Sequence, residues 1–142
     1  MKVSFLIAEE VRPEASSKVT VLGLFPGNII ILQNGMRPEG VPGDTPEGLE
    51  RLTILVTIND APEGIHKFRG RIIEPSGDLY KPEASLGEVT AKAGFSNSVV
   101  IEMKPFIVKK AGEFRLEFFV DEQMFTFPFE IRAERPLLSE SI

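Results

Sequence analysis

His66 is the only histidine of this chain, and there is no cysteine. Together these facts bound most of the chemistry. A hydrolytic triad needs a nucleophile and a base held in contact, and no feature of the sequence sets a serine beside His66. A lone histidine in a strand is expected to be a structural or surface residue. A zinc centre would need further His or Cys ligands. Asp44, Asp60, Asp78 and Asp121 fall in turn-rich segments, where oxygen ligands for calcium could gather. They form no Asp-x-Asp cluster, and capping of turns is their plainer use. Glu9, Glu10, Arg12 and Glu14 put three carboxylates beside one guanidinium. An Arg–Glu ion pair fixing a connection is expected there, rather than a paired acid and base. Lys67, Arg69 and Arg71 alternate along one strand as a basic stripe, which suits a solvated face and blunts an edge. The Gly/Pro-rich run 34–48 lacks the lysine and the following helix of a phosphate loop. These residue types point to no enzyme and to no cofactor.

The strongest element is the stretch from Gly112 to Ile131, GEFRLEFFVDEQMFTFPFEI. Phe114, Leu116, Phe118 and Val120 share one face, and Phe125, Phe127, Phe129 and Ile131 share one face of the next strand. This period of two marks a β-hairpin with one buried side. Setting Val120 opposite Phe125 places Arg115 opposite Glu130 and Glu113 opposite Arg132, two opposite-charge pairs. Pro128 has no N–H and must sit where its nitrogen points away from the partner strand. In that register the condition requires a four-residue loop, Asp121 to Met124, and a second strand at or near a sheet edge. Phe119 is the apolar outlier on the outer face.

Earlier segments carry the same signature. Val3 to Ala8 is apolar on both sides, as in a strand interior to a sheet. Lys18 to Phe25 forms a second strand, broken by Pro26-Gly27 and resumed over Asn28 to Gln33, with a bulge or bend expected near Gly23. Asn34 to Gly48 is a long loop, and long loops are usually functional or mobile; a mobile surface loop is expected, with partner contact as the alternative. Leu52, Ile54, Val56 and Ile58 alternate, as do Phe68 and Ile72, and then Phe95, Val99, Ile101 and Met103. Leu79 to Gly94 is weakly patterned, and Pro105 to Ala111 is a connection. About seven to nine short strands with regular turns, and no amphipathic helix, predict an all-β chain, a single antiparallel β-sandwich of immunoglobulin-like architecture. One domain is expected over residues 1–132, with a C-terminal tail over 133–142. The opening MKVSFLIAEE reads as a strand, neither signal peptide nor membrane span.

The chain has 142 residues, a net charge of −5, and 42% apolar residues. The acidic balance argues against nucleic-acid or anionic-membrane surfaces. With the opening read as a strand, a cytoplasmic location is the default expectation, and the absence of cysteine excludes a disulfide.

Leu6-Ile7-Ala8-Glu9-Glu10-Val11-Arg12, the strand Lys18 to Phe25, His66-Lys67-Phe68-Arg69, Glu74-Pro75-Ser76-Gly77, and the closing Gly112-Glu113-Phe114-Arg115 and Phe127-Pro128-Phe129 have a familiar spacing. It resembles a family of small bacterial proteins, a domain of unknown function with an immunoglobulin-like strand pattern. The resemblance implies a β-sandwich and supplies no site residues. The expected role is a non-enzymatic protein-interaction or assembly module, with an unknown protein partner or a second copy meeting a sheet edge or face. Phe119, Met124, Arg115 and Glu130 form the candidate partner surface, and Met36, Arg37 and Asp44 the candidate loop. A small-ligand or calcium-binding β-sandwich domain is the alternative.

Overall fold

A computed structural model describes residues 1–15, 18–32 and 48–133. The described residues are all-β, with eleven strands and one 3₁₀ turn at Pro26–Asn28. The strands are β1 (Lys2–Pro13), β2 (Val19–Leu24), β3 (Ile29–Leu32), β4 (Gly48–Leu49), β5 (Leu52–Asn59), β6 (Gly64–Ile73), β7 (Leu79–Ala91), β8 (Asn97–Met103), β9 (Phe106–Ile107), β10 (Gly112–Val120) and β11 (Gln123–Ala133). They form three sheets. One has the order β2-β1-β5-β8, the second β3-β11-β10-β6-β7, and β4-β9 is a two-stranded ribbon. Every pairing is antiparallel except β11 with β3. The all-β expectation holds, but the sheets are three and open, where one two-sheet sandwich was expected.

The two larger sheets share one core. Ile7, Ile54, Val56 and Ile58 of the first meet Phe68, Ile72, Leu116, Phe118, Phe127 and Phe129 of the second. The contact runs through Phe5, whose ring stacks on Phe127 at 4.9 Å and meets Phe118 edge-on at 6.3 Å. The period-two apolar residues of β5, β6 and β10 supply this layer, each buried Phe or Ile contributing about 2–3 kcal/mol. Near the ribbon, Phe106 packs on Tyr80, Phe114 and Phe129. The Tyr80 hydroxyl accepts the Ile107 N–H at 3.1 Å, tying the ribbon to β7. β1 lies between β2 and β5, and its run is apolar on both faces because Val3, Phe5 and Ile7 face the main core while Leu6 and Ala8 pack outside it. A second, smaller cluster of Ala8, Val11 and Leu55 lies apart from the main core.

The hairpin keeps its predicted faces but not its predicted register. Phe118 pairs with Phe125, Leu116 with Phe127 and Phe114 with Phe129, a shift of two residues. The loop is therefore two residues, Asp121-Glu122, closed by Val120 and Gln123. A two-residue loop makes its closing pair hydrogen-bonded, and alternation from there leaves Arg115–Pro128 a non-hydrogen-bonded pair. Pro128 thus satisfies its missing N–H without a longer loop. Asp121 makes the tight turn feasible by adopting a positive φ of 53°, which Asp tolerates better than most residues. The shift undoes the expected charge pairs, since Glu113 faces Glu130 and Arg115 faces Pro128. β11 is next to the edge, because β3 pairs with it from Glu130 to Ala133, beyond Pro128.

Three further expectations change. The weakly patterned stretch 79–94 contains β7, a thirteen-residue edge strand. Register shifts against β6 and exposure of both faces erase its alternation. Gly48, taken as loop, is a buried member of β4, and β9 lies within the connection 105–111. Phe95 is exposed just before β8 rather than part of its buried face.

Candidate functional site

The outer face of the hairpin brings Phe119 and Met124 together as a cross-strand pair. Met124 is 48% exposed. Phe119 is covered by its own neighbours. The Arg69 guanidinium carbon lies 4.5 Å from its ring centroid and that of Arg71 5.5 Å, an arrangement that attracts the cations to the ring face. Beside it Glu117 is buried at 8% exposure, although it belongs to the nominally solvated side. It accepts from Arg71 Nε at 2.6 Å and from Arg115 Nε at 3.3 Å. Arg69 also reaches Glu83 at 3.2 Å. The basic stripe therefore closes a charged layer over Phe119. Arg115 and Glu130 do not meet; Glu130 pairs instead with Arg132 at 2.9 Å, which holds its carboxyl below the usual range. Met36, Arg37 and Asp44 lie outside the described residues.

At one end of this sheet, His66 joins two turns. Its Nδ1 lies 2.7 Å from Asp121 Oδ2 and its Nε2 2.5 Å from the Pro62 carbonyl. Both partners are acceptors, so the ring satisfies them together only as the doubly protonated imidazolium. The Pro62 carbonyl first, and then the Asp121 carboxylate, raise the His66 pKa above its ordinary value. Asp121 Oδ1 also accepts the Lys67 N–H at 2.9 Å, and this bond, followed by His66, lowers the carboxyl's pKa. The Arg69 side chain donates to the Asp121 carbonyl at 3.0 Å. The arrangement is a half-buried clamp between the 60–63 turn and the hairpin loop. No serine or other nucleophile takes part in these contacts. An open recess of about 380 Å³ beside it is lined by Lys67, Arg69, Ser85, Asp121 and Glu122 among others.

The acidic run from Glu9, expected in a connection, lies at the end of β1, where Glu10 and Arg12 form the expected ion pair and extend it. Glu10 meets Arg12 at 3.0 Å and Arg51 at 2.5 Å, and Arg51 approaches Glu102 at 3.7 Å. The chain of charges links β1, the start of β5 and β8. Arg12 is the main reason the Glu10 carboxyl lies below its ordinary pKa. Among the described residues no group of three or more His, Asp or Glu is placed to hold a metal ion.

One surface escaped the motif search. From Val19 through Leu32 the sequence has no charged residue. This segment supplies β2, the edge of one sheet, then crosses through the 3₁₀ turn to become β3, the edge of the other. Gly27 in that turn has φ 72°, a conformation glycine adopts freely. One flank of the molecule is thus built from two neutral edge strands. Leu24 is 55% exposed and Ile31 56%, and Val19 and Leu22 are exposed as well. The signal was present as a missing charge, which strand periodicity does not register.

No family model matches the chain, and no curated relative matches it. Similar solved structures include the alkylpurine DNA glycosylase of Pseudomonas fluorescens bound to DNA containing an abasic-site analogue, at 14% identity and TM-score 0.48, over 91% of this chain and 30% of that one. They also include a family 123 glycoside hydrolase from Clostridium perfringens, at 14% identity and TM-score 0.41, over 96% of this chain and 28% of that one. A β-glucosidase from Listeria innocua in complex with gluconolactone follows at 12% identity and TM-score 0.35, over 92% and 16%. This chain spans less than a third of each of those proteins, and at these scores the likenesses carry no argument about activity.

Proposed function

We propose that this chain is a non-enzymatic protein-interaction module of the cytoplasm, built as an immunoglobulin-like sandwich with β4-β9 as a local ribbon. The observation that carries this reading is the neutral flank. Natural edge strands are guarded by Lys, Pro, bulges or short length, because an open edge invites another strand. The long edge β7 is guarded in this way by Lys81, Pro82, Glu83, Glu88 and its register shifts. β2 carries apolar, exposed side chains and no charge, a combination that marks interaction surfaces. The interlocked Phe5, Phe118 and Phe127 between the sheets weigh against a ligand pocket there.

Photo-crosslinking tests the proposal. A benzophenone side chain at Leu24 or Ile31, irradiated in lysate, is expected to give discrete covalent adducts of a partner or of a second copy. The same group at Ile65, which is 64% exposed on β6, is the control. Adducts that vanish with Leu22→Lys support the edge. Equal labelling at Leu24, Ile31 and Ile65, or none at all, rejects it.

A further inference from the structure

We infer that β2 takes the β2 strand of a second copy of this chain, antiparallel about a two-fold axis through Thr20, joining two four-stranded sheets into one of eight. The inference rests on the interaction reading above and names the occupant of that edge.

The backbone fixes which groups are on offer. The Glu14 N–H donates to the Lys18 carbonyl at 2.7 Å, making Glu14–Lys18 a hydrogen-bonded pair. Alternation along the ladder then places Arg12–Thr20 as hydrogen-bonded and Pro13–Val19 and Val11–Val21 as non-hydrogen-bonded. Pro13, which has no N–H, fits the position opposite Val19. Val19 and Val21 therefore turn their N–H and C=O groups away from β1. Among the described residues no strand pairs with that side. Beyond Val21 the ladder turns irregular at Gly23, whose φ is 67°.

These two outward residues select the register. An antiparallel copy must set outward groups against outward groups, so Val19 faces Val21 of the second copy and Val21 faces its Val19. Each pair then exchanges two hydrogen bonds, and Thr20 meets its own counterpart on the axis. The charges agree with this placement. Lys18 comes level with Leu22 of the second copy, whose neighbour across the β1–β2 ladder is Glu10. On each side of the axis Lys18 approaches Glu10, which already holds Arg12 and Arg51, and the strand between is neutral. A charge at position 20 would face its own like charge on the axis.

The absence of cysteine provides a sharp test. Thr20→Cys introduces a single thiol at an exposed position. In the proposed register it faces itself in a non-hydrogen-bonded pair, whose Cα separation of about 4.5 Å falls within disulfide range. Mild oxidation is expected to give a disulfide-linked dimer from Thr20→Cys and at most a trace from Leu24→Cys or Ile65→Cys, whose partners lie elsewhere. Sedimentation of the cysteine-free chain is expected to show a dimer that weakens at least tenfold with Leu22→Lys or with Val19→Pro. The proline leaves the β1 ladder intact because the lost N–H points outward. A chain monomeric at all concentrations, with Thr20→Cys oxidising no faster than Ile65→Cys, overturns the homodimer. If Leu24 and Ile31 photo-adducts to a different protein persist in that case, the interaction reading survives and only this occupant is excluded.

Discussion

At the scale of single residues, His66 ties two turns together. Its ring lies between a carbonyl and a carboxylate, contacts it satisfies together when doubly protonated, so its protonation is coupled to the two turns it joins. The sign of its effect follows from linkage. Its pKa is raised on folding, so its contribution is complete below the ordinary histidine value of about 6.5 and is lost as pH climbs through the raised folded value. Asp121 runs the other way. Its pKa is lowered, so its contribution is complete above about 3.9 and is lost as pH falls through the lowered folded value. The clamp is therefore strongest in the mildly acidic window between them. Thermal melts from pH 5 to 9 are expected to show Tm falling on the alkaline side, and His66→Gln to flatten that fall. A parallel decline in wild type and variant would show that the imidazolium does not carry the clamp. The sequence supplied the identity of His66 as the lone histidine. Its partners, 4 and 55 residues away, were not visible.

At the scale of elements, the hairpin shows how far a pattern reaches. Period two determines which residues face the core, and a slip of two residues leaves that unchanged. The register is decided by the loop, where Asp121 accepts a positive φ and the Lys67 N–H, His66 and Arg69 bind it. A short Hα–Hα NOE between Glu117 and Thr126, a non-hydrogen-bonded pair, is expected in NMR spectra. A corresponding NOE between Glu117 and Pro128 would restore the four-residue loop. Glu117→Ala would strip two guanidinium groups of their buried acceptor and is expected to cost about 1–3 kcal/mol in urea melts. No change on that substitution would mean that the charged layer over Phe119 is decorative. The ribbon has an equally sharp weak point. A Cβ on Gly48 would lie 2.1 Å from the Phe106 carbonyl oxygen, which is backbone and cannot rotate away. Gly48→Ala is expected to lose about 1–3 kcal/mol, as overpacked sites do.

At the scale of the whole molecule, one core serves both large sheets, so they are expected to unfold together. Phe118 is fully buried and touches Phe5 from the opposite sheet and Phe68 from its own. Phe118→Ala is expected to lose about 3–5 kcal/mol with an unchanged m-value. Far-UV circular dichroism and Tyr80 fluorescence should then give coincident transitions. Separate transitions would divide the molecule into independently stable sheets. The same architecture separates a guarded side from an open one. β7 carries charges and irregular pairing, while β2 and β3 share a flank without charge. No helix among the described residues is long and apolar enough to cross a membrane.

The sequence alone determined the all-β class and the inward faces of β5, β6, β10 and β11. These are properties of residue type and of a period set by the backbone, and they need no partner to be read. Tertiary structure decided the rest because it depends on pairing between distant segments. The alternation of β7 dissolved at an edge, and Phe119 acquired a cover of arginines from β6. The neutral run of residues 19–32 became one flank only because β2 and β3 end up as the edges of two sheets on the same side of the core. A chain can state which residues are apolar. Which uncharged strand ends a sheet among the described residues is settled by the order of the strands.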